Sequence, residues 1–156
     1  MLYTPKNKAL LNGRKPPVIS IDYMVNGDFS NGNASWNGLN GGPAIVSGGQ
    51  AVLTSAPQFT IFSQNLRYNL LSGKYYELKY DCTITAGTVT PRLFDSFTNP
   101  GFTVRSTTGT YTERVLVITN IVSKLDFVIS SVAAFSGTFD NISLKGPYLA
   151  ATNGGA

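Results

Sequence analysis

The stretch that decides the fold is KYYELKYDCTIT, residues 74–85. Apolar and polar side chains alternate along it without interruption. One face carries Tyr76, Leu78, Tyr80, Cys82 and Ile84, and the other carries Tyr75, Glu77, Lys79, Asp81 and Thr83. Because side chains of a β-strand point alternately to its two faces, this pattern predicts a strand with one face in a core and the other in water.

The rest of the chain has a similar pattern, in which short β-like runs are separated by Gly, Ser, Asn and Pro. No segment shows the period of an amphipathic helix. Eight or nine strands without helical crossovers predict an all-β protein, an antiparallel two-sheet jelly-roll β-sandwich, with an Ig-like sandwich as the alternative. The further strand candidates are 43–47, 51–55, 58–64, 88–95, 102–106, 111–119, 124–130 and 137–145.

The composition fits one globular domain and excludes several kinds of catalyst. The 156 residues are 42% hydrophobic and 13% charged, which is enough apolar surface to order a chain of this length. The absence of histidine excludes Ser-His-Asp chemistry and imidazole-ligated metals. The single cysteine, Cys82, lies on the apolar face of its strand and is predicted to be a buried structural thiol. Paired carboxylates are the remaining route to glycoside hydrolysis, and the candidates are Glu77, Asp81, Asp95, Glu113 and Asp126. On outward strand positions such groups usually solvate the surface, so we predict that the protein is not an enzyme.

The net charge of +4 belongs to the first residues of the chain. Four basic side chains precede the first acidic residue, Asp22, and the remaining eight basic residues balance the eight acidic ones. We therefore predict an extended N-terminal arm over 1–24, a sandwich over 25–146 and a tail over 147–156. The arm would dock to a larger assembly through Lys6, Lys8, Arg14 and Lys15. Four interrupted charges do not favour a nucleic-acid partner, and no apolar run is long enough for a signal peptide or a membrane span.

Asp140 is the carboxylate whose position carries most information. It shares strand parity with Ile142 and Leu144, so it is predicted to point inward. An inward charge needs a partner, and a calcium ion held by Asp140 and by Asp28 of the Asn/Gly-rich loop is one solution. A hydrogen-bonded cap without metal is the other.

Four pieces of the sequence together resemble a known family. They are Asn26-Gly27-Asp28-Phe29-Ser30 followed by Trp36, Leu71-Ser72-Gly73-Lys74-Tyr75-Tyr76, Gly109-Thr110-Tyr111, and Gly137-Thr138-Phe139-Asp140-Asn141-Ile142-Ser143-Leu144. Their order and spacing resemble the galactose-binding-like jelly rolls, in particular CenC-type carbohydrate-binding modules, over roughly 26–145.

The resemblance implies a jelly roll whose opening segment lies beside the closing strand, with a structural calcium ion between them. Asp28 and Asp140 would supply side-chain ligands, backbone oxygens near Asn26 would supply others, and Phe29 and Trp36 would pack against the sandwich. In such modules sugars bind to aromatic and polar groups on one sheet face. The corresponding candidates for a glycan or partner site are Tyr75, Lys79, Arg92, Phe94 and Arg114.

Two functions are compatible with these features. The first is a structural or attachment protein of a virus particle, such as a bacteriophage head-decoration or fibre component. Its arm would dock to other virion proteins, and its domain would face outward as a homo-oligomer or lattice-bound copy, with access to host-surface glycans. The alternative is a carbohydrate-binding module of an extracellular polysaccharide-degrading system.

Overall fold

The structure is a computed structural model that describes residues 20–39, 45–94, 102–118 and 122–148. These residues contain strands and no helix. The strands are β1 (Ile21–Asp22), β2 (Trp36–Leu39), β3 (Ile45–Ser47), β4 (Gln50–Ala56), β5 (Ile61–Leu70), β6 (Lys74–Ala86), β7 (Val89–Phe94), β8 (Gly109–Val117), β9 (Val122–Ile129) and β10 (Phe135–Tyr148).

The strands form two antiparallel sheets that pack face to face, which confirms the predicted jelly-roll β-sandwich. The six-stranded sheet has the order β3-β4-β10-β6-β8, with β1 added to β10, and the four-stranded sheet has the order β2-β5-β9-β7. The predicted alternation of β6 is also confirmed. Its inward residues Tyr76, Leu78 and Tyr80 have no exposed surface, whereas its other face is open to solvent.

Aromatic rings fill the space between the sheets. The Trp36 ring stacks on Phe62 with centroids 4.5 Å apart, and Phe29 lies 5.3 Å from Trp36. Phe127 and Phe139 continue the contact across the two sheets at 4.8 Å. The expected packing of Phe29 and Trp36 against the sandwich is therefore confirmed. Offset and tilted aromatic pairs of this kind add stabilisation beyond their buried area.

Cys82 also lies in this core, as predicted, with 3% of its surface exposed. Burial raises the pKa of its thiol to about 12. Because the thiolate is the reactive form, this thiol is chemically inert in the folded protein.

The segment before β2 is held against the sandwich by polar contacts. The buried side chain of Gln64 accepts a hydrogen bond from Val25 N at 2.7 Å and donates one to Val25 O at 2.6 Å. Tyr23 and Met24 are buried in the core beside it. β1 pairs with β10 and residues 23–24 lie in the core, although the sequence placed them in the arm. β10 spans Phe135–Tyr148, whereas the predicted strand was 137–145.

The inward orientation predicted for Asp140 is wrong, because β10 carries a β-bulge. The register against β6 shifts between Asp140 and Ser143, and Asn141 adopts a left-handed conformation with φ 50°. One extra residue reverses the parity of the strand on either side of it. Phe139 and Ile142 therefore both point inward, and Asp140 lies half-buried on the outer face opposite Asp81.

Two further differences concern which segments form strands. β2 lies in the Asn/Gly-rich stretch that was predicted to be an irregular loop, because the stacking of Trp36 on the core fixes its extended backbone. Residues 102–106 were predicted to be a strand but form one isolated bridge, Arg105 to Val89.

Candidate functional site

The residues predicted to form one binding strip lie on two different sheets. Tyr75 and Lys79 are on β6, and Arg114 is on β8, all in the six-stranded sheet. Arg92 and Phe94 are on β7, at the edge of the four-stranded sheet. The expectation of a single strip is wrong because the chain crosses from one sheet to the other between β6 and β7. The side chain of Phe94 lies outside the described residues.

The outer face of the four-stranded sheet carries an ion pair whose carboxylate is buried. Asp126 alternates along β9 with the core residues Leu125 and Phe127, so its side chain points away from the core. Arg92 is its register partner on β7 and places Nε 3.2 Å from Asp126 Oδ2. The Asp126 side chain is 1% exposed, whereas that of Arg92 is 40% exposed. The buried carboxylate of Asp126 is thus ion-paired with the partly exposed guanidinium of Arg92.

Lys124 and Ser63 complete this outer face, and we call Ser63, Arg92, Lys124 and Asp126 the polar floor. Lys124 Nζ lies 3.5 Å from Asp126 Oδ1, and Ser63 on β5 is the register partner of Asp126. Ser63 is fully buried. Within the described part of the chain, neither Ser63 Oγ nor Asp126 Oδ1 has a hydrogen-bond partner, although Asp126 Oδ1 faces Lys124 Nζ in the ion pair.

Buried polar atoms without partners are uncommon, because leaving one unbonded costs about 1–3 kcal/mol. A ligand that brings hydroxyl groups to this face would relieve that cost. Arg92 and Lys124 donate hydrogen bonds, whereas Asp126 accepts them and Ser63 can do either. The polar floor therefore suits a ligand rich in hydroxyls, which offer donors and acceptors side by side.

The sequence drew attention to Arg92 but not to the other three members of the polar floor as binding residues. Asp126 counted only among the carboxylates that could hydrolyse a glycoside. Its alternation with Leu125 and Phe127 would have placed it on the outer face of a central strand, where a charge faces strand neighbours on both sides. No sequence pattern indicates that Ser63 is buried, because its burial depends on the pairing of β5 with β9.

On the six-stranded sheet, the predicted residues form a separate polar surface. Arg114 Nε lies 2.8 Å from Glu77 Oε2, and its guanidinium lies 4.5 Å from the ring centroid of Tyr148. Tyr75 is the register partner of Tyr148, and Lys79 is exposed further along β6. Both partners of the ion pair are solvent-accessible, so this contact contributes little to stability.

A hollow of about 230 Å³ lies at the other end of the same face. Asp81 lies within it, and hydrogen bonds from Thr110 and Asn141 hold the pKa of its carboxyl below the usual value. Its full lining is Gln50, Asp81, Cys82, Thr83, Thr108, Gly109, Thr110, Thr138 and Asp140.

The two predicted calcium ligands lie in different local settings. Asp28 is exposed, and its Oδ1 accepts hydrogen bonds from the backbone N and the Oγ of Ser30, which lowers the pKa of its carboxyl. Asp140 Oδ1 accepts a hydrogen bond from Asn141 N. The opening segment does lie beside β10, because Ile142 N donates to Gly27 O at 2.9 Å.

The described residues contain no group of three or more His, Cys, Asp or Glu side chains that could hold a metal ion. Calcium takes six to eight oxygen ligands, so two carboxylates would need backbone and water oxygens besides. The calcium site at Asp28 and Asp140 therefore stays a prediction.

The arm residues Lys6, Lys8, Arg14 and Lys15 lie outside the described residues, so their docking role also stays a prediction. Within the described part of the chain, no helix is long and apolar enough to cross a membrane.

The chain was compared with protein families, curated proteins and solved structures, and the solved structures share its fold. No protein-family model matches the chain, and no curated protein matches it. Among solved structures, a family 4 carbohydrate-binding module superposes with a TM-score of 0.59 and 16% identity, over 78% of this chain and 97% of that one.

Two further similar structures are family 29 carbohydrate-binding modules. One is a lysine-to-alanine mutant made to probe ligand recognition, with a TM-score of 0.56, 14% identity and coverage of 82% of this chain and 91% of that one. The other is a mutant in complex with cellulohexaose, with a TM-score of 0.54, 12% identity and coverage of 81% and 89%. This protein therefore has the β-sandwich fold that these carbohydrate-binding modules adopt.

Proposed function

We propose that this protein is a non-catalytic module that binds polysaccharide outside the cell through the outer face of its four-stranded sheet. The observation that supports this most strongly is the polar floor. Asp126 forms ion pairs with Arg92 and Lys124, and two buried polar atoms, Ser63 Oγ and Asp126 Oδ1, have no hydrogen-bond partner among the described residues. Sugar hydroxyls are the ligand groups that match this mixture of donors and acceptors.

In this proposal the four residues have different roles. Arg92 and Lys124 reach solvent and donate hydrogen bonds to sugar oxygens. Asp126 is a positioning residue, because its carboxylate orients both cations. Ser63 Oγ, beside Asp126 in the strand register, is the hydroxyl that can accept or donate a hydrogen bond on this face. Charge-assisted hydrogen bonds from Arg are stronger than neutral ones, so Arg92 should contribute most.

The fold of the similar structures supports the polysaccharide reading and gives no support to a virus-particle role. They are carbohydrate-binding modules at 11–16% identity, so they inform the fold, and the ligand of this chain is our proposal. The virus-particle reading depends on the arm, which lies outside the described residues. A structural role in a virus particle is therefore the second candidate function. A particle protein with this fold would also be able to bind host glycans.

A pull-down with insoluble and soluble polysaccharides tests the proposal. The wild-type protein is incubated with neutral glucans, mannans, xylans and galactans, and the bound fraction is compared with that of Arg92→Ala and Asp126→Asn. The matched control is Arg114→Ala, because Arg114 also forms an Arg-carboxylate pair, with the solvent-accessible Glu77 on the opposite sheet.

We expect at least one polysaccharide to retain the wild type and Arg114→Ala but not Arg92→Ala. If Arg114→Ala or Tyr75→Ala is no longer retained while Arg92→Ala is, the binding site lies on the six-stranded sheet. If no polysaccharide retains the wild type, the proposed function is wrong.

A further inference from the structure

Phe59 has an unusual combination of backbone conformation and exposure. It precedes β5, in the turn of residues 57–60, and 66% of its surface is exposed. Its φ is +67°, which lies in the left-handed region. Bulky residues rarely adopt this region, because the Cβ atom crowds the neighbouring backbone.

A second phenylalanine shows how such a conformation is normally offset. Phe29 also has a positive φ, +51°, but it is 2% exposed and packs against Trp36 and Phe62. Burial of its ring compensates for the strain. Phe59 has the strain without the burial. Residues held in such conformations tend to lie at functional sites, where the surrounding structure over-determines them.

Hydrogen bonds fix the turn of Phe59 to the end of β9. Phe59 N donates to Ile129 O at 2.9 Å, and Ile129 N donates to Thr60 O at 2.9 Å. The Gln58 side chain donates to Ser130 O at 3.3 Å. The aromatic ring is therefore carried on a rigid base, and a ligand that contacts it does not have to order a flexible loop.

The same turn leads directly into the strands of the polar floor. Ile129 ends β9, the strand that carries Asp126, and Phe59 lies four residues before Ser63 of β5. Four residues of fully extended chain span at most about 14 Å, so Phe59 lies within that distance of Ser63. A single extended sugar chain of a few units can therefore reach both Phe59 and the polar floor.

We infer that Phe59 is a stacking platform for a sugar ring of the polysaccharide that the polar floor binds. This inference rests on the proposed function. The ligand it fits is a neutral pyranose whose ring exposes a flat face of C–H groups, since such a face packs against an aromatic plane. Among the described residues, two aromatic side chains on this sheet and the turn before it are exposed, Phe59 and Tyr68, and the Tyr68 ring already packs edge-on against Tyr23 at 6.2 Å. Trp36 is buried in the core, and Tyr75 lies on the opposite sheet.

The substitution Phe59→Gly separates stacking from a structural role. Glycine adopts the left-handed conformation without strain, so we expect the melting temperature to rise. We expect the affinity for the retained polysaccharide to fall roughly tenfold, which corresponds to the loss of one aromatic contact. Phe59→Trp should keep the affinity within a factor of three.

The matched control is Val132→Ser, because Val132 is 86% exposed in the neighbouring turn and is not aromatic. Its binding should equal that of the wild type. If Phe59→Gly binds the polysaccharide with wild-type affinity, the inference is wrong. If Arg92→Ala binds more weakly than the wild type in that same assay, the proposed function still holds. Equal losses in Phe59→Gly and Val132→Ser would indicate a general apolar docking surface and would also overturn it.

Discussion

Replacing Ser63 with alanine should make the free protein more stable and its sugar complex weaker. Ser63 Oγ is fully buried on the outer face of the four-stranded sheet and has no hydrogen-bond partner among the residues that the structure describes. Ser63→Ala removes one oxygen and changes nothing else in shape. If the hydroxyl is unbonded, its removal relieves the desolvation cost of that group.

The magnitude follows from the contacts that change. An unsatisfied buried hydroxyl costs about 1–3 kcal/mol, and we take the lower end because a water molecule can offset part of it. A gain of about 1 kcal/mol raises the melting temperature of a 156-residue protein by roughly 2–4 °C. A lost hydrogen bond to a sugar hydroxyl, about 0.5–1.5 kcal/mol, weakens binding roughly 2–12-fold.

Thermal unfolding and titration calorimetry with the retained polysaccharide measure the two effects on one sample. Ser136→Ala is the control, because Ser136 Oγ on the six-stranded sheet accepts a hydrogen bond from Ser55 N at 2.9 Å. That variant should lose stability and bind normally. If Ser63→Ala instead lowers the melting temperature and binds like the wild type, Ser63 is bonded within the protein, and the argument from its unpartnered oxygen fails.

Three further predictions concern the core and the calcium proposal. Gln64→Met should lower the free energy of unfolding by about 2–4 kcal/mol in a denaturant titration, because Val25 N and O lose their hydrogen-bond partners. An unchanged midpoint would show that the two hydrogen bonds between Gln64 and Val25 do not stabilise the fold. Cys82 should resist thiol reagents until the protein is unfolded. Because its folded pKa is raised from 9.0 to about 12, its contribution to stability is complete below pH 9 and is lost as pH rises towards 12, an effect that Cys82→Ala should lack. If calcium binds at Asp28 and Asp140, a chelator should lower the melting temperature of the wild type but not of Asp140→Ala, and identical curves for the wild type with and without chelator would refute the site.

Strand identity was predictable where the two-sheet core imposes a strict period of two. Every inward position of β6 from Tyr76 to Cys82 follows from the alternation, because a shifted register would expose all of them. The same rule failed at Asp140, since one extra residue at Asn141 reverses the parity and leaves no clear mark in the sequence.

The candidate site was less predictable because it depends on which strands share a sheet. Tyr75 and Arg92 lie on strands adjacent in sequence, yet these belong to opposite sheets. Arg92 was identified from its outward position, whereas the burial of Asp126 and Ser63 beside it follows from pairing between strands that are distant in the chain. Phe59 fell inside the predicted strand 58–64, and only its left-handed backbone and exposed ring distinguish it.

The most direct test of the central claim is calorimetric titration of the retained polysaccharide into four proteins: wild type, Arg92→Ala, Asp126→Asn and Arg114→Ala. The polar floor predicts that Arg92→Ala weakens binding roughly 10–100-fold, as expected for loss of a charged hydrogen bond. Asp126→Asn should weaken it as well, and Arg114→Ala should bind like the wild type. Equal affinity of the wild type and Arg92→Ala, with both proteins folded, would contradict a binding site on the four-stranded sheet.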